Sequence, residues 1–293
     1  MLTDQQIAQY QTDGYTVVRQ ALPTEVLEDL RRITDEIVAS AKGLTDHTPV
    51  LDLEPSHTPE NPRVRRIKTP QLAHPFFREL AGHECVMSAL RPILGNDIRL
   101  RAGCKINMKS AGIGSPVEWH QDWAFYPHTN DDVLAAGILL DDMDESNGPV
   151  MFLPGTHRGP VYDHHSDGAF CGAIDTTTQD LDTTDAIPIY GKAGDMTIHH
   201  ARLVHGSKIN RSSKSRRVLF YEYTAADAWP LAGVEHLDDV EGFNSRIVSG
   251  EPTLRPRMAD VPVKVPLPRA PYQGSIYENQ RTLENRYFER AAD

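Results

Sequence analysis

The feature that most limits the fold is a change of period near residue 98. Before it, apolar residues recur at helical spacing. Residues 3–13 read as a short helix, and Asp13-Gly14 turns the chain into a strand, Tyr15-Thr16-Val17-Val18. Pro23 and Thr24 open a second helix carrying Val26, Leu27, Leu30, Ile33 and Ile37 on one face. A further helix is expected over 75–93, and 43–63 reads as a long loop. From residue 98 the pattern becomes short strands between Gly, Pro and Asp turns, at 98–109, 116–122, 134–141, 149–153, 194–204 and 216–224. Helices first and short strands after imply a mainly β chain with α cover. We expect a double-stranded β-helix (jelly-roll, cupin-like) core with the N-terminal helices packed on one face, as a single domain over 1–293. Residues 161–190, rich in Asp and Thr and without a sustained period, are expected to form an active-site lid insertion. Residues 230–293, punctuated by Pro230, Pro252, Pro256, Pro262, Pro266, Pro268 and Pro271, are expected to wrap the core irregularly.

Composition removes several function classes. A net charge of −11 repels phosphate backbones, so no nucleic-acid partner is expected. No run of about 18 apolar residues suggests a membrane helix. The polar opening MLTDQQIAQYQTDGY lacks the pattern of a secretory signal, and the expected location is the cytoplasm. Cys85, Cys104 and Cys171 are odd in number and outside any CxxC, which argues against a disulfide framework or a zinc knuckle.

The stretch Glu118-Trp119-His120-Gln121-Asp122-Trp123 carries the chemistry. In a strand, residues two apart share a face, so His120 and Asp122 present an imidazole and a carboxylate to one point. A third ligand from a neighbouring strand would complete a two-His, one-carboxylate facial triad with positions left open on iron(II). The tripeptide alone is common by chance; His120 could be a satisfied histidine and Asp122 a turn acid.

A second signal lies 85 positions after His120, in HGSKINRSSKSRRVLFYEY, which begins at His205. His205 would end one strand and Arg216 begin the next, the two joined as a hairpin. Arginine meets a carboxylate bidentately, which lysine cannot do.

With HQDWAFYP, NGPVMFLPGTH and the His205 segment in order, the chain resembles the phytanoyl-CoA dioxygenase family of iron(II)/2-oxoglutarate oxygenases, to which ectoine hydroxylases are related. The resemblance implies that His120, Asp122 and His205 bind Fe(2+) and that Arg216 holds 2-oxoglutarate, with O₂ as the other cosubstrate. It places Ser207 at a cosubstrate hydrogen-bonding position, and Lys105 and Lys68 near further 2-oxoglutarate contacts. The family often has tryptophan where this chain has Ile138. The implied reaction is hydroxylation of an unactivated C–H bond in a small-molecule metabolite or natural-product intermediate, with release of succinate and CO₂. Desaturation, epimerisation or ring formation stay open, and Asp122 argues against halogenation, because related halogenases carry a small residue there. Trp123 and Phe125, just after the motif, are the candidate substrate contacts.

Other residues compete for these roles. His199 and His200 precede His205 but lack the HGS and the arginine spacing. Arg217 should face outward. His157 reads as structural, and His164 and His165 as solvated loop histidines. A silent β-barrel binding protein and a structural zinc site are the competing classes; the intact triad with Arg216 disfavours the first, and the absence of nearby cysteine the second.

Overall fold

The computed structural model describes residues 1–112, 114–232, 239–269 and 276–290. Two antiparallel sheets face one another. The larger has the order Tyr15–Val18, Met196–His200, Val133–Leu139, Arg216–Ala225, Ile98–Lys109, Val64–Ile67, Leu51–Leu53, with Ile247–Ser249 also pairing with Ile98–Lys109. The smaller has the order Ile187–Pro188, Val150–Phe152, His205–Ser207, Val117–His120. This is the expected jelly-roll sandwich.

Alternation in the central strands sorts side chains into two environments. Leu134, Ala136 and Ile138, Met196 and Ile198, and Leu219, Tyr221 and Tyr223 face the helices and form the main core with Leu30, Ile33, Phe77, Leu90 and others. The Tyr221 and Tyr223 hydroxyls donate to the carbonyls of Phe77 and Ala81, at 2.7 and 2.9 Å, which fixes the helical layer on the sheet. The intervening residues Ala135, His199, Phe220 and Glu222 face the cavity between the sheets. The longer helices are Asp4–Asp13, Thr24–Ala39, Phe76–Ala81 and Glu84–Leu94. The first is closed by a reciprocal cap between Thr3 and Gln6. The expected single helix over 75–93 is two, broken at Gly82-His83, where the His83 side chain caps the second.

Three expectations change. The loop at 43–63 contains the edge strand Leu51–Leu53. Within 161–190, His165–Ser166 and Ala169–Phe170 form a two-stranded ribbon and Ile187–Pro188 joins the smaller sheet. The end of the chain is less irregular than expected, with Val240–Asn244, Ile247–Ser249, Ile276–Asn279 and Tyr287–Arg290 regular. Positions 233–238, 270–275, with Pro271, and 291–293 lie outside the described residues.

Candidate active site

His120 and His205 are register partners on the adjacent strands Val117–His120 and His205–Ser207. Gln121 continues the extended backbone with φ −118° and ψ 125°, so Asp122 returns to the same side as His120. Ligand atoms of His120, Asp122 and His205 all lie within 4.8 Å of one another, and all three residues are buried. Each histidine engages a backbone carbonyl through Nδ1, His120 that of Glu118 at 2.8 Å and His205 that of Leu203 at 2.9 Å. Those bonds leave Nε2 of each histidine directed at the cluster, where it could ligate a metal ion. Gly206, between His205 and Ser207, is required by space: a Cβ there would sit 2.9 Å from the Val117 carbonyl oxygen and 2.5 Å from Phe288.

The electrostatics suit a divalent cation. Burial, then the neighbouring His120 and His199, holds His205 well below its usual range; burial also lowers His120, against the pull of Asp122. Both imidazoles are therefore neutral, the ligating form. Burial pushes the Asp122 carboxyl upward, but His199, His205 and Lys105 outweigh it and leave the group well below the carboxylate range. His199 Nε2 stands 3.5 Å from Asp122 Oδ2. It lines the cavity beside the cluster without joining it. Two neutral imidazoles and one anion with open space alongside fit iron(II).

The cavity holds about 260 Å³. Arg216 and Lys109, register partners on Arg216–Ala225 and Ile98–Lys109, form its deep end. Both are buried, and neither forms an ion pair with a carboxylate among the described residues. Arg216 donates to the Gly148 carbonyl, while its Nε is buried with no hydrogen bond. Lys109 donates to the carbonyls of Ser207 and Lys208. Burial lowers Arg216 to about 10 and, with Arg216 beside it, drives Lys109 well below its usual value. The buried Arg216 guanidinium, with Nε unpaired, and the Lys109 amine beside it form an end of the cavity suited to an anionic group such as a carboxylate.

The structure also places the other sequence candidates. Ser207 and Lys105 line the cavity; Lys105 Nζ pairs with Glu222 at 2.9 Å. Lys68 does not: it pairs with Asp52 at 3.0 Å, and Arg66 reaches the cavity instead. Phe125 lines the cavity, edge-on to His120 with ring centroids 6.0 Å apart. Trp123 is fully buried away from it, on the face opposite His120 and Asp122, and donates to the Pro262 carbonyl. Ile138 faces the helices, so no contact arises there. Arg217 points outward to Asp141 and Asp35. His157 is buried against the Gln11 carbonyl. His164 is not solvated: it is 1% exposed and accepts from the Gln121 backbone N–H at 2.9 Å. His205 and Arg216 are not joined as a hairpin within one sheet. His205–Ser207 belongs to the smaller sheet and Arg216–Ala225 to the larger, so the two residues face each other across the cavity.

No residue of 161–190 lines the cavity. Part of that segment packs behind the smaller sheet, where Ile174 and Leu181 join Trp119, Met151 and Leu153, while Phe170 meets the cavity residue Phe125 edge-on with ring centroids 5.0 Å apart. The cover comes instead from the end of the chain, through Ile276, Tyr277 and Asn279. Arg65 sits 4.9 Å over the Tyr277 ring and pairs with Glu278. Gln280 bridges the Glu118 N–H and the Gly172 carbonyl, each at 2.9 Å.

Residues 10–218 match the family model described as phytanoyl-CoA dioxygenase (PhyH). The chain belongs to the phytanoyl-CoA dioxygenase family. As a member it is an oxygenase that uses Fe(2+), 2-oxoglutarate and O₂. A probable alpha-ketoglutarate-dependent hypophosphite dioxygenase of Stutzerimonas stutzeri is 40% identical over 292 residues, covering 98% of this chain and 100% of the relative. The ectoine dioxygenase of Bordetella bronchiseptica is 25% identical over 249 residues, 77% of this chain and 76% of that protein. Among solved structures, EctD from S. alaskensis with bound Fe superposes with a TM-score of 0.64 at 22% identity over 77% of each chain. The epimerase SnoN with Fe3+, alpha ketoglutarate and nogalamycin RO gives a TM-score of 0.62 at 23% identity, over 88% of this chain and 96% of that one. These two likenesses concern the fold. No helix among the described residues is long and apolar enough to cross a membrane.

Proposed function

We propose that this phytanoyl-CoA dioxygenase family member oxidises a small phosphorus oxyanion, hypophosphite being the leading candidate. The carrying observation is the cavity's charge: Arg66, Arg101, Lys105, Lys109 and Arg216 line it against the carboxylates Asp122 and Glu222. A 2-oxoglutarate dianion accounts for one cation cluster and leaves the other for an anionic substrate. A space of about 260 Å³ shared with the cosubstrate suits a few-atom ion better than an acyl-CoA. The relative from Stutzerimonas stutzeri, matched over nearly the whole chain, carries hypophosphite in its name.

In this reading His120, Asp122 and His205 hold the iron, and Arg216, Lys109 and Ser207 hold the far carboxylate of 2-oxoglutarate. Iron(II) with 2-oxoglutarate supplies the oxidising chemistry, in which one oxygen atom of O₂ enters succinate and the other enters the substrate. The balanced outcome is hypophosphite, 2-oxoglutarate and O₂ giving phosphite, succinate and CO₂, with a P–H bond converted to P–OH. This departs from the C–H hydroxylation expected from the sequence. The residues of the cavity orient both anions, and the cover at 276–279 excludes water.

The test is succinate formation by iron-loaded protein with hypophosphite, ectoine, L-proline or no addition, with phosphite followed by phosphorus NMR. Equal stoichiometric phosphite and succinate with hypophosphite alone is expected. Turnover with another compound and none with hypophosphite would overturn the substrate assignment.

A further inference from the structure

We infer that Arg101 and Lys105, tied together by Glu222, form the substrate's anion site, and that Glu222 sets its charge preference toward monoanions. The inference rests on the oxyanion reading above. Arg101 and Lys105 lie four residues apart on one strand, about 13 Å along regular β structure. Both nevertheless reach one carboxylate: Arg101 Nε donates to Glu222 Oε2 at 2.7 Å and Lys105 Nζ to Oε1 at 2.9 Å. A bulge makes this possible. Tyr221 pairs with Cys104 and Tyr223 with Leu100, so Glu222 alone stands opposite Arg101, Ala102 and Gly103. Gln71 holds the bulge by accepting from the Cys104 N–H at 3.2 Å. Bulges of this kind beside active sites re-aim side chains.

The cluster is built for more than internal pairing. All three side chains line the cavity that contains the iron ligands. The Glu222 side chain is only 9% exposed, whereas Arg101 and Lys105 keep 27% and 34%. Arg101 Nη1 and the remaining Lys105 protons have no protein partner among the described residues. Arg101 lies 3.9 Å over the Tyr126 ring, and the buried Tyr126 hydroxyl stands beside Asp122. Two cations against one carboxylate leave one positive charge and a set of unused donors facing the metal side. That matches a small monoanion. Hypophosphite is a monoanion at neutral pH, whereas phosphite is mostly a dianion above it. Glu222 and Asp122 then repel the product more than the substrate, which favours release.

The test compares wild type, Arg101→Met, Arg101→Lys and Glu222→Gln. Binding of hypophosphite and of phosphite to the metal-free protein is measured by calorimetry, alongside 2-oxoglutarate binding and turnover. Arg101→Met should weaken hypophosphite binding about tenfold or more, the worth of a charge-assisted hydrogen bond, with 2-oxoglutarate affinity within about twofold of wild type. Arg101→Lys should recover part of the loss. Glu222→Gln should tighten phosphite more than hypophosphite and turn phosphite into a stronger inhibitor. Loss of 2-oxoglutarate rather than hypophosphite affinity in Arg101→Met, or an unchanged phosphite-to-hypophosphite ratio in Glu222→Gln, would overturn the inference. A wild type that binds hypophosphite through Arg101 without oxidising it would keep the anion site and reject only the proposed substrate.

Discussion

His120 and His205 are paired across adjacent antiparallel strands, and their ring centroids lie 4.1 Å apart. Two neutral imidazoles held this close, with Asp122 beside them, gain a shared partner when a divalent cation binds. Anaerobic addition of Fe(II) should therefore raise the melting temperature. At about a hundredfold excess over Kd the gain is about 2.7 kcal/mol, or several degrees for a chain of this size. His205→Ala should abolish the rise in scanning fluorimetry while leaving a cooperative transition.

Arg216 should govern cosubstrate affinity independently of the metal. Its guanidinium is buried with Nε unpaired, so removing it deletes a desolvated charge contact of about 2–5 kcal/mol. Arg216→Met should weaken 2-oxoglutarate binding by at least about 30-fold. The iron-induced rise in melting temperature should persist. Arg216→Lys should not restore binding, since a point charge cannot reproduce the planar fork.

The C-terminal cover should depend on Arg65, which holds both the Tyr277 ring and Glu278. Breaking a buried pair costs about 3–5 kcal/mol. Arg65→Ala should expose residues 276–290 to limited proteolysis and raise the KM for 2-oxoglutarate, because the Tyr277 hydroxyl is buried and unpartnered in the same cavity as Arg216. Unchanged cleavage and unchanged KM would show that the cover is held by other contacts.

Stability should fall in acid through buried neutral histidines. Burial lowers His164 from the usual 6.5 to about 3 and His128 to about 4. The unfolded chain binds protons at these positions first, so their contribution is complete above pH 6.5 and drains away as pH falls toward about 3. His164 Nε2 accepts from Gln121 and so must be unprotonated. His164→Gln should flatten the pH dependence of denaturant stability across that window.

Much of the centre was legible because it depends on local rules. Strand alternation brings His120 and Asp122 together, while the resemblance to the family's pattern of HGS followed by an arginine singles out His205 and Arg216. The hairpin joining the last two was misread because period alone does not say when a chain crosses from one sheet to the other. Trp123 is not a cavity residue, as alternation from Asp122 already implies, whereas the 3-10 turn that returns Phe125 to the cavity has no signal distinct from a strand end. Lys68 lost its place to Arg66, two residues earlier: Asp52 on the neighbouring edge strand pairs with both, and Arg66 is the one that reaches the cavity. Lys109, Asn107, Lys105 and Arg101 alternate on one strand, a readable stripe of polar residues whose meaning required the opposite strand with Glu222. Tyr277 was illegible: its segment is one helical turn, and its position comes from Arg65 and Gln280 rather than from any period.

The most direct test of the metal assignment is the visible spectrum of anaerobic protein mixed with Fe(II) and 2-oxoglutarate. Chelation of the cosubstrate to iron held by His120, Asp122 and His205 predicts a weak metal-to-ligand charge-transfer band in the wild type, absent from Asp122→Ala and His205→Ala. A wild type without the band, or either variant retaining it at full strength, would contradict the account.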